Sequence, residues 1–375
     1  MKKITVLGAG MVGRVMAIDL SRDYQVTAID RDKKSLTALE QYPVQTLQAD
    51  LADMKNIANL IAEADLVVGS VPGSMGFEVT RAVINAGKNM VDIASYEEDS
   101  FLLDDLAKEK RVTVVVDCGV APGMSNMFVG HYNQRMKVDQ FECLVGGLPF
   151  KRSWPFQYKA PFSPIDVFGE YIYPAYIVQN GEIVARPPLS DPELVEMEPV
   201  GTLEAFNADG LCTMLKTIDI PNMREKCLRY PGHRELMQMF LETGFFSSEP
   251  IDLNGVQVRP IDLTAKLLLE SWKLGENEEE FTIMKLTFRG TEKDTRKEIV
   301  CRLFDRYDPE TGFSSMSRTT GFPCTGVSRL LLEGEFEHHG ICPPELIGAE
   351  PQCFEKILAH LKERNVIVHV EENEL

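Results

Sequence analysis

The hydrophobic positions change period along the chain. Within residues 1–120, near-continuous apolar and β-branched runs occur at 3–10 (KITVLGAG), 24–30 (YQVTAID), 43–50 (PVQTLQAD), 64–72 (ADLVVGSVP), 89–95 (NMVDIAS) and 111–119 (RVTVVVDCG). Segments with helical spacing separate them. In MVGRVMAIDLSRD, for example, Val12, Val15, Met16, Ile18 and Leu20 make one apolar stripe. Strands apolar on both faces, alternating with amphipathic helices, predict parallel pairing in βαβ units. Six of them predict an α/β Rossmann domain, a doubly wound parallel sheet, over residues 1–120.

The pattern then shifts. DQFECLVGGLP (139–149) reads as a strand. YIVQNGEIVA (176–185) sets Asn180-Gly181 between two apolar runs, the signal of a type I′ hairpin. FTIMKLTFRG and KEIVCRLFDRYD, within 281–308, read as two long paired strands joined by the charged linker TEKDTR. Helical spacing appears at 233–243, 260–274 and 317–333, and again near the C-terminus before a short strand. Strands in runs with a few helices predict an α+β second domain. SWPFQYKAPFSPIDVFGEYIYPAY (153–176) is rich in aromatics and Pro and would cap a pocket or pack an interface. ENEEE (276–280) reads as a solvated acidic loop.

The chain has 57 Asp plus Glu against 39 Lys plus Arg, a formal net charge of −18. That balance argues against nucleic acid and against anionic membrane surfaces, both of which attract basic patches. No apolar run reaches the roughly 18 residues of a membrane span. The start, MKKITVLGAG, has the lysines of a signal peptide but breaks into glycines, so it reads as a first strand. The eight cysteines form no C-x-x-C pair, so neither a zinc site nor a disulfide framework is expected. A reducing cytoplasm and no bound metal are the expectation.

The first chemical motif is VLGAGMVG, which spaces Gly8, Gly10 and Gly13 as G-x-G-x-x-G between a strand and a helix. Gly8 would allow the tight turn, Gly10 the close approach of a pyrophosphate, and Gly13 close helix packing. Met11 and Val12 open the helix whose free N–H groups would meet the anion. Asp30 ends the second strand, where a carboxylate accepts hydrogen bonds from adenosine ribose hydroxyls. It would repel a 2′-phosphate, so NAD is expected. Arg31 softens that repulsion, which leaves NADP possible. Further cofactor contacts are expected where strands end: Asp50 and Leu51 near adenine, Ser70, Val71 and Pro72 after the fourth strand, and Asp92 and Ala94 nearer the nicotinamide.

Five further stretches follow DCGVAPGMSN (117–126): GGLPFKR (146–152), GTLEAFNADG (201–210), LRYPGH (228–233), SSMSRTTGFP (314–323) and GICPPE (340–345). In this order they resemble the saccharopine dehydrogenase family, and within it most closely the lysine 6-dehydrogenases, over nearly the whole chain. The resemblance implies an α+β substrate and dimerisation domain at 121–335 and a segment, 336–375, that packs back on the Rossmann domain. It also implies a homodimer and a small amino-acid substrate. The implied reaction is hydride transfer between a nicotinamide and a carbon bearing nitrogen, with L-lysine oxidised at its ε-carbon to the semialdehyde and ammonia released. A saccharopine-type or carboxyalkyl-polyamine enzyme acting on a secondary amine is the alternative, and a sensor that binds NAD without turnover is a third.

This chemistry requires a base to deprotonate the amine and to activate water. Asp117 and Tyr96 lie just past the sixth and fifth strands. Asp117 serves as base or as cap of the Gly119 turn, and Tyr96 as proton carrier or packing residue. His233 has an ordinary pKa suited to acid–base work and also opens a helix. A substrate carboxylate calls for an Arg fork. Arg229 is the first choice and Arg152 the second, with Arg318 a further cation if a second carboxylate is bound. Glu204 would hold a distal ammonium or sit solvated at a strand edge. Asn126 and Thr320 would add hydrogen bonds. Arg234, beside His233, reads only as a helix surface residue.

Overall fold

The computed structural model describes residues 1–160, 164–275 and 278–375. Parts of the aromatic stretch 153–176 and of the acidic run 276–280 therefore lie outside the described residues. The chain folds as two compact units: Met1–Lys137 with Ser317–Ile367, and Val138–Met316 with Val368–Leu375. In chain order the strands are β1 (Lys3–Leu7), β2 (Gln25–Asp30), β3 (Val44–Gln48), β4 (Leu66–Gly69), β5 (Met90–Asp92), β6 (Thr113–Val115), β7 (Lys137–Pro149), β8 (Ala175–Gln179) and β9 (Glu182–Arg186). They continue as β10 (Glu193–Met197), β11 (Gly201–Asn207), β12 (Met223–Arg229), β13 (Ile251–Leu253), β14 (Val256–Val258), β15 (Glu280–Glu292), β16 (Thr295–Arg306), β17 (Gly340–Cys342) and β18 (Val368–Glu374).

The first unit holds a parallel sheet ordered β17-β6-β5-β4-β1-β2-β3. Its six strands from β3 to β6 are the expected doubly wound sheet, with the strand-order reversal at β1 and β4. The seventh strand comes from the GICPPE motif. Its core is the expected aliphatic set, including Leu7, Ile29, Val67, Val83 and Val114. On β17's side, Gly130 and Gly348 let the helices Met124–Arg135 and Pro344–Ala349 approach closely. A Cβ on Gly130 would lie 2.0 Å from the Glu345 carbonyl oxygen, and one on Gly348 2.0 Å from that of Met127.

In the second unit the main sheet runs β10-β11-β12-β7-β15-β16-β18, with β8 pairing β12 and β9. β7 and β12 are parallel, and β8 and β9 are antiparallel. Asn180 and Gly181 both have positive φ (53° and 83°), as a type I′ turn requires. β15 and β16 pair from Phe281↔Arg306 to Glu292↔Thr295, so only Lys293 and Asp294 join them, again with positive φ (47° and 66°). The expected linker TEKDTR is thus mostly strand. The helix expected at 317–333 begins at Ser315 and continues through Pro323. An aromatic core of Phe168, Tyr171, Phe206, Trp272 and Phe281 lies under the sheet. Among the described residues no helix is long and apolar enough to cross a membrane.

Candidate active site

The glycine loop at the end of β1 fits a dinucleotide. Gly8 adopts φ +99°, and a Cβ there would lie 2.3 Å from the Ser70 carbonyl oxygen. A Cβ on Gly13 would lie 2.1 Å from the Gly8 carbonyl oxygen, so this glycine allows the helix Met11–Leu20 to sit close against the strand. Gly10 has open space around its Cβ position and caps that helix without any side-chain cap bond, so the first-turn N–H groups stay available to an anion. Asp30 accepts hydrogen bonds from the Ala9 N–H (2.7 Å) and the Asp32 N–H (2.8 Å). The carboxylate meant for ribose therefore also fixes the loop that would hold the pyrophosphate.

The other expected cofactor residues divide. Arg31 is exposed beside Asp30, and Pro72 leads into the helix Gly73–Asn85. Asp50 is exposed, with its carboxylate accepting from the Ala52 N–H. Leu51 and Val71 are core residues. Met11 is half-buried and Val12 buried in the helix's first turn. Asp92 is fully buried and turned inward. It accepts from the Tyr96 hydroxyl (2.5 Å), the Ala94 N–H (3.0 Å) and the Thr80 hydroxyl (3.4 Å). Burial pushes the Asp92 carboxyl up to about 6. Asp92 is therefore an anchor for Tyr96, not an outward-facing ligand. Tyr96 in turn lies 2.7 Å from the Thr80 hydroxyl, and burial and Asp92 push its phenol well above the usual value. Tyr96 is thus a proton donor within this cluster.

Asp117 follows β6 with φ +50°, a left-handed conformation that Asp tolerates better than most residues. It is buried, and its carboxylate accepts no hydrogen bond among the described residues. Burial, then the carboxylates of Glu345 and Asp92, push it up to about 7. Thr320 lies beside the same turn, its methyl 3.2 Å from the Cβ position of Gly119. Asn126 is fully buried: its Oδ1 accepts from the Gly123 N–H (3.0 Å) and its Nδ2 donates to Glu345 Oε2 (3.0 Å). It braces the turn through these bonds. Glu345 and Thr80 were not singled out from sequence. An acid just after Pro-Pro in an apolar stretch was the one hint for Glu345.

The basic knot of LRYPGH is built into the second unit's interior. Arg229 is 2% exposed. Its Nη2 pairs with Glu170 Oε2 (2.5 Å), its Nε donates to the Tyr171 hydroxyl (3.2 Å), and its Nη1 donates to the Leu228 carbonyl (2.9 Å). The guanidinium also lies 4.6 Å from the Tyr158 ring centroid. The expected free fork is already filled from within, because Glu170 lies on the helix Pro164–Ile172 across the core. His233 Nδ1 lies 2.9 Å from the Phe156 carbonyl, which can only accept, so Nδ1 carries the proton and Nε2 accepts from the Tyr171 hydroxyl at 3.0 Å. Burial and Arg229 push this imidazole down to about 3, so it stays neutral. The expectation of acid–base work by His233 is not supported by this geometry.

Glu204 accepts from Arg234 Nε (3.0 Å) and from the Gly232 N–H (3.3 Å). It is neither solvated nor free for a ligand ammonium, and Arg234 is its ion-pair partner. Arg152 differs from Arg229. It is exposed, stacks 4.6 Å from the Tyr230 ring centroid, and is steered by Gln157 Oε1 (2.6 Å from Nε). Its Nη groups meet no carboxylate among the described residues. Arg318, in the first unit, donates to the Arg364 carbonyl at 2.9 Å.

Comparison with known proteins agrees with the geometry of the first unit. Residues 4–115 match the family model of the saccharopine dehydrogenase NADP binding domain, and residues 119–367 that of the saccharopine dehydrogenase C-terminal domain. The chain is 20% identical to the mitochondrial alpha-aminoadipic semialdehyde synthase of Rattus norvegicus, over 99% of the chain and 48% of that protein. It is 19% identical to the carboxyaminopropylagmatine dehydrogenase of Synechocystis sp., over 94% of each. It spans about half the length of the mammalian relatives it matches. Apo saccharopine dehydrogenase (L-Glu forming) from Saccharomyces cerevisiae shares the fold, with a TM-score of 0.80 over 100% of both chains at 17% identity.

Proposed function

From the premise that the chain belongs to the saccharopine dehydrogenase family, we propose that it is an NAD(P)-dependent oxidoreductase acting on the C–N bond of an amino acid. The ε-amine of L-lysine is the leading substrate, with NAD the preferred cofactor. The observation that carries this reading is Asp117, a buried carboxyl held near neutrality at the end of β6. When bound, the nicotinamide supplies the hydride acceptor. Asp117 takes the proton from the substrate nitrogen, releases it to solvent, and then takes one from the water that opens the imine. Tyr96, Asp92 and Thr80 hold the neighbouring strand end through their shared hydrogen bonds. Of the two arginines carried in LPFKR and LRYPGH, Arg152 lacks a carboxylate partner among the described residues and is assigned to the substrate's α-carboxylate. Arg229 and His233 support the second unit from inside.

A second reading, oxidation of a secondary amine such as saccharopine or a carboxyalkyl polyamine, is supported by the names of the relatives. The assay follows absorbance of reduced nicotinamide with L-lysine, saccharopine and carboxyalkyl polyamines, each with NAD and with NADP. Turnover of L-lysine with NAD supports the leading reading, and turnover of a secondary amine alone replaces it. Silence across the panel with tight cofactor binding overturns both.

The chain pairs with a second copy through β13, β14 and the helix Pro260–Trp272. Ile251, Leu253, Val256 and Val258 share one face of the β13–β14 ribbon. Ile251, Leu253 and Val256 are 52%, 56% and 61% exposed, and Leu263 and Leu267 on the helix are 52% and 63% exposed. A two-stranded ribbon is marginal alone, and such exposed apolar area marks an interface. Residues 251–267 hold Asp252 and Asp262 against Arg259 and Lys266, two acids and two bases, in a chain of net charge −18. This face is where two acidic copies can meet without repulsion. Eight free cysteines suit a reducing, cytoplasmic setting.

A further inference from the structure

We propose that the second unit carries a binding site for a free zwitterionic amino acid where β7, β8 and β12 meet. A cavity of about 260 Å³ opens there, with apolar lining from Phe141, Ile177, Val178 and Met223. That volume suits one amino acid with its side chain. Its polar lining comes from Gln140, Gln179, Asn222, Arg186, Asp191 and Arg224.

The charges around the cavity do not cancel pairwise. Arg224 is paired to Glu142, 2.6 Å from its Nε. The neighbouring Lys226 is paired to Glu193 at 2.6 Å. Two charges remain. Arg186 meets no carboxylate among the described residues: its Nη2 donates to the neutral Gln179 Oε1 at 2.9 Å, and its buried Nε has no partner. Asp191 meets no cationic side chain within ion-pair distance, and its Oδ2 accepts only from the Asn207 amide at 2.8 Å. One unpaired guanidinium and one unpaired carboxylate at the same cavity complement a molecule that carries both charges itself.

Asp191 is also held in place. The Lys226 ammonium, on a residue 2% exposed, donates to the Asp191 carbonyl at 2.7 Å. Asn207, also 2% exposed, orients the Asp191 carboxylate and donates to Ser190 Oγ at 3.1 Å. Two buried polar side chains thus fix the backbone and the carboxylate of an aspartate that makes no ion pair. Gln179, exposed at the end of β8, accepts from Arg186 Nη2. The α-carboxylate of the ligand pairs with Arg186, its ammonium with Asp191, and the amides accept the remaining hydrogen bonds.

The test is calorimetric titration of the whole chain with L-glutamate and L-lysine. Glutarate, which lacks the ammonium, and cadaverine, which lacks carboxylates, are the controls. Saturable binding of an amino acid is expected, weakened about tenfold or more by Arg186→Gln, by Asp191→Asn and by loss of either ligand charge. Binding at the proposed catalytic cluster would survive both substitutions. Binding unchanged in both variants, equal binding of the controls that carry only one sign of charge, or no saturable binding at tens of millimolar overturns the proposal. Should either variant lose its fold, Gln179→Ala decides. It weakens binding if Arg186 is the anchor and leaves binding unchanged if it is not.

Discussion

Asp117 is useful as a base only while it can lose its proton near neutral pH. Burial, Glu345 and Asp92 all disfavour its anion and bring it to about 7. Turnover should therefore rise with pH through that value. Asp117→Asn should lower kcat by about 10²–10⁴-fold and remove the acidic limb of the profile, while reduced-cofactor binding by fluorescence stays unchanged. The same shift has a stability signature. A carboxyl raised in the folded state binds its proton more tightly there than when unfolded. Its contribution is complete below the unfolded value of about 4 and is lost as pH rises through about 7. Thermal melts at pH 5 and pH 8 should differ less in Asp117→Asn than in the parent chain. A loss of cofactor binding in this variant would instead make Asp117 a brace of the turn. Asp30 acts differently, because it holds the Ala9 and Asp32 N–H groups. Asp30→Ala should weaken both dinucleotides in direct binding, and NAD more than NADP. A loss for NAD alone, with NADP held as well as before or better, would confine Asp30 to ribose recognition.

At the scale of elements, the LRYPGH knot and the helix Pro164–Ile172 are one structure. Arg229→Met leaves Glu170 without its cation and the Tyr171 hydroxyl without its donor. Glu170 is only partly buried, so the loss costs less than the roughly 3–5 kcal/mol of a fully buried pair, and the melting temperature should still fall by a few degrees. Arg152→Ala should leave it nearly unchanged and raise KM for the amino acid. The reverse pattern would return the carboxylate to Arg229. The sequence could not show this, because Glu170 lies 59 residues from Arg229 and residue type alone does not reveal which charge it meets. The glycine loop was legible because its spacing, strand and helix are all local. β1 to β6 were legible because apolar runs contrast with helical spacing. β17 was not, since Gly340–Cys342, set between His339 and Pro343, makes no apolar run long enough to contrast with helical spacing. The Asn180-Gly181 turn announced itself. The turn at Lys293-Asp294 has the same backbone but carries charged residues in place of glycine, so it looked like a linker.

For the whole molecule, charge and apolar surface make opposing demands. A chain of net charge −18 repels its copies over most of its surface. Association then depends on a face where charges balance and apolar area is large, and the β13–β14 ribbon with its following helix supplies both. The apolar residues of that ribbon alternate with Asp252 and Gln257, so its other face is polar and needs no cover. If this face joins two copies, light scattering should give twice the chain mass of 42.1 kDa. Leu263→Glu combined with Leu267→Glu places four like charges across a two-fold contact and should give the monomer, with far-UV circular dichroism unchanged. Raised salt should strengthen the parent dimer, because it screens the repulsion and leaves the apolar contact intact. A dimer that survives both substitutions puts the contact elsewhere, and a parent chain that runs as a monomer leaves the ribbon's apolar face to a different partner.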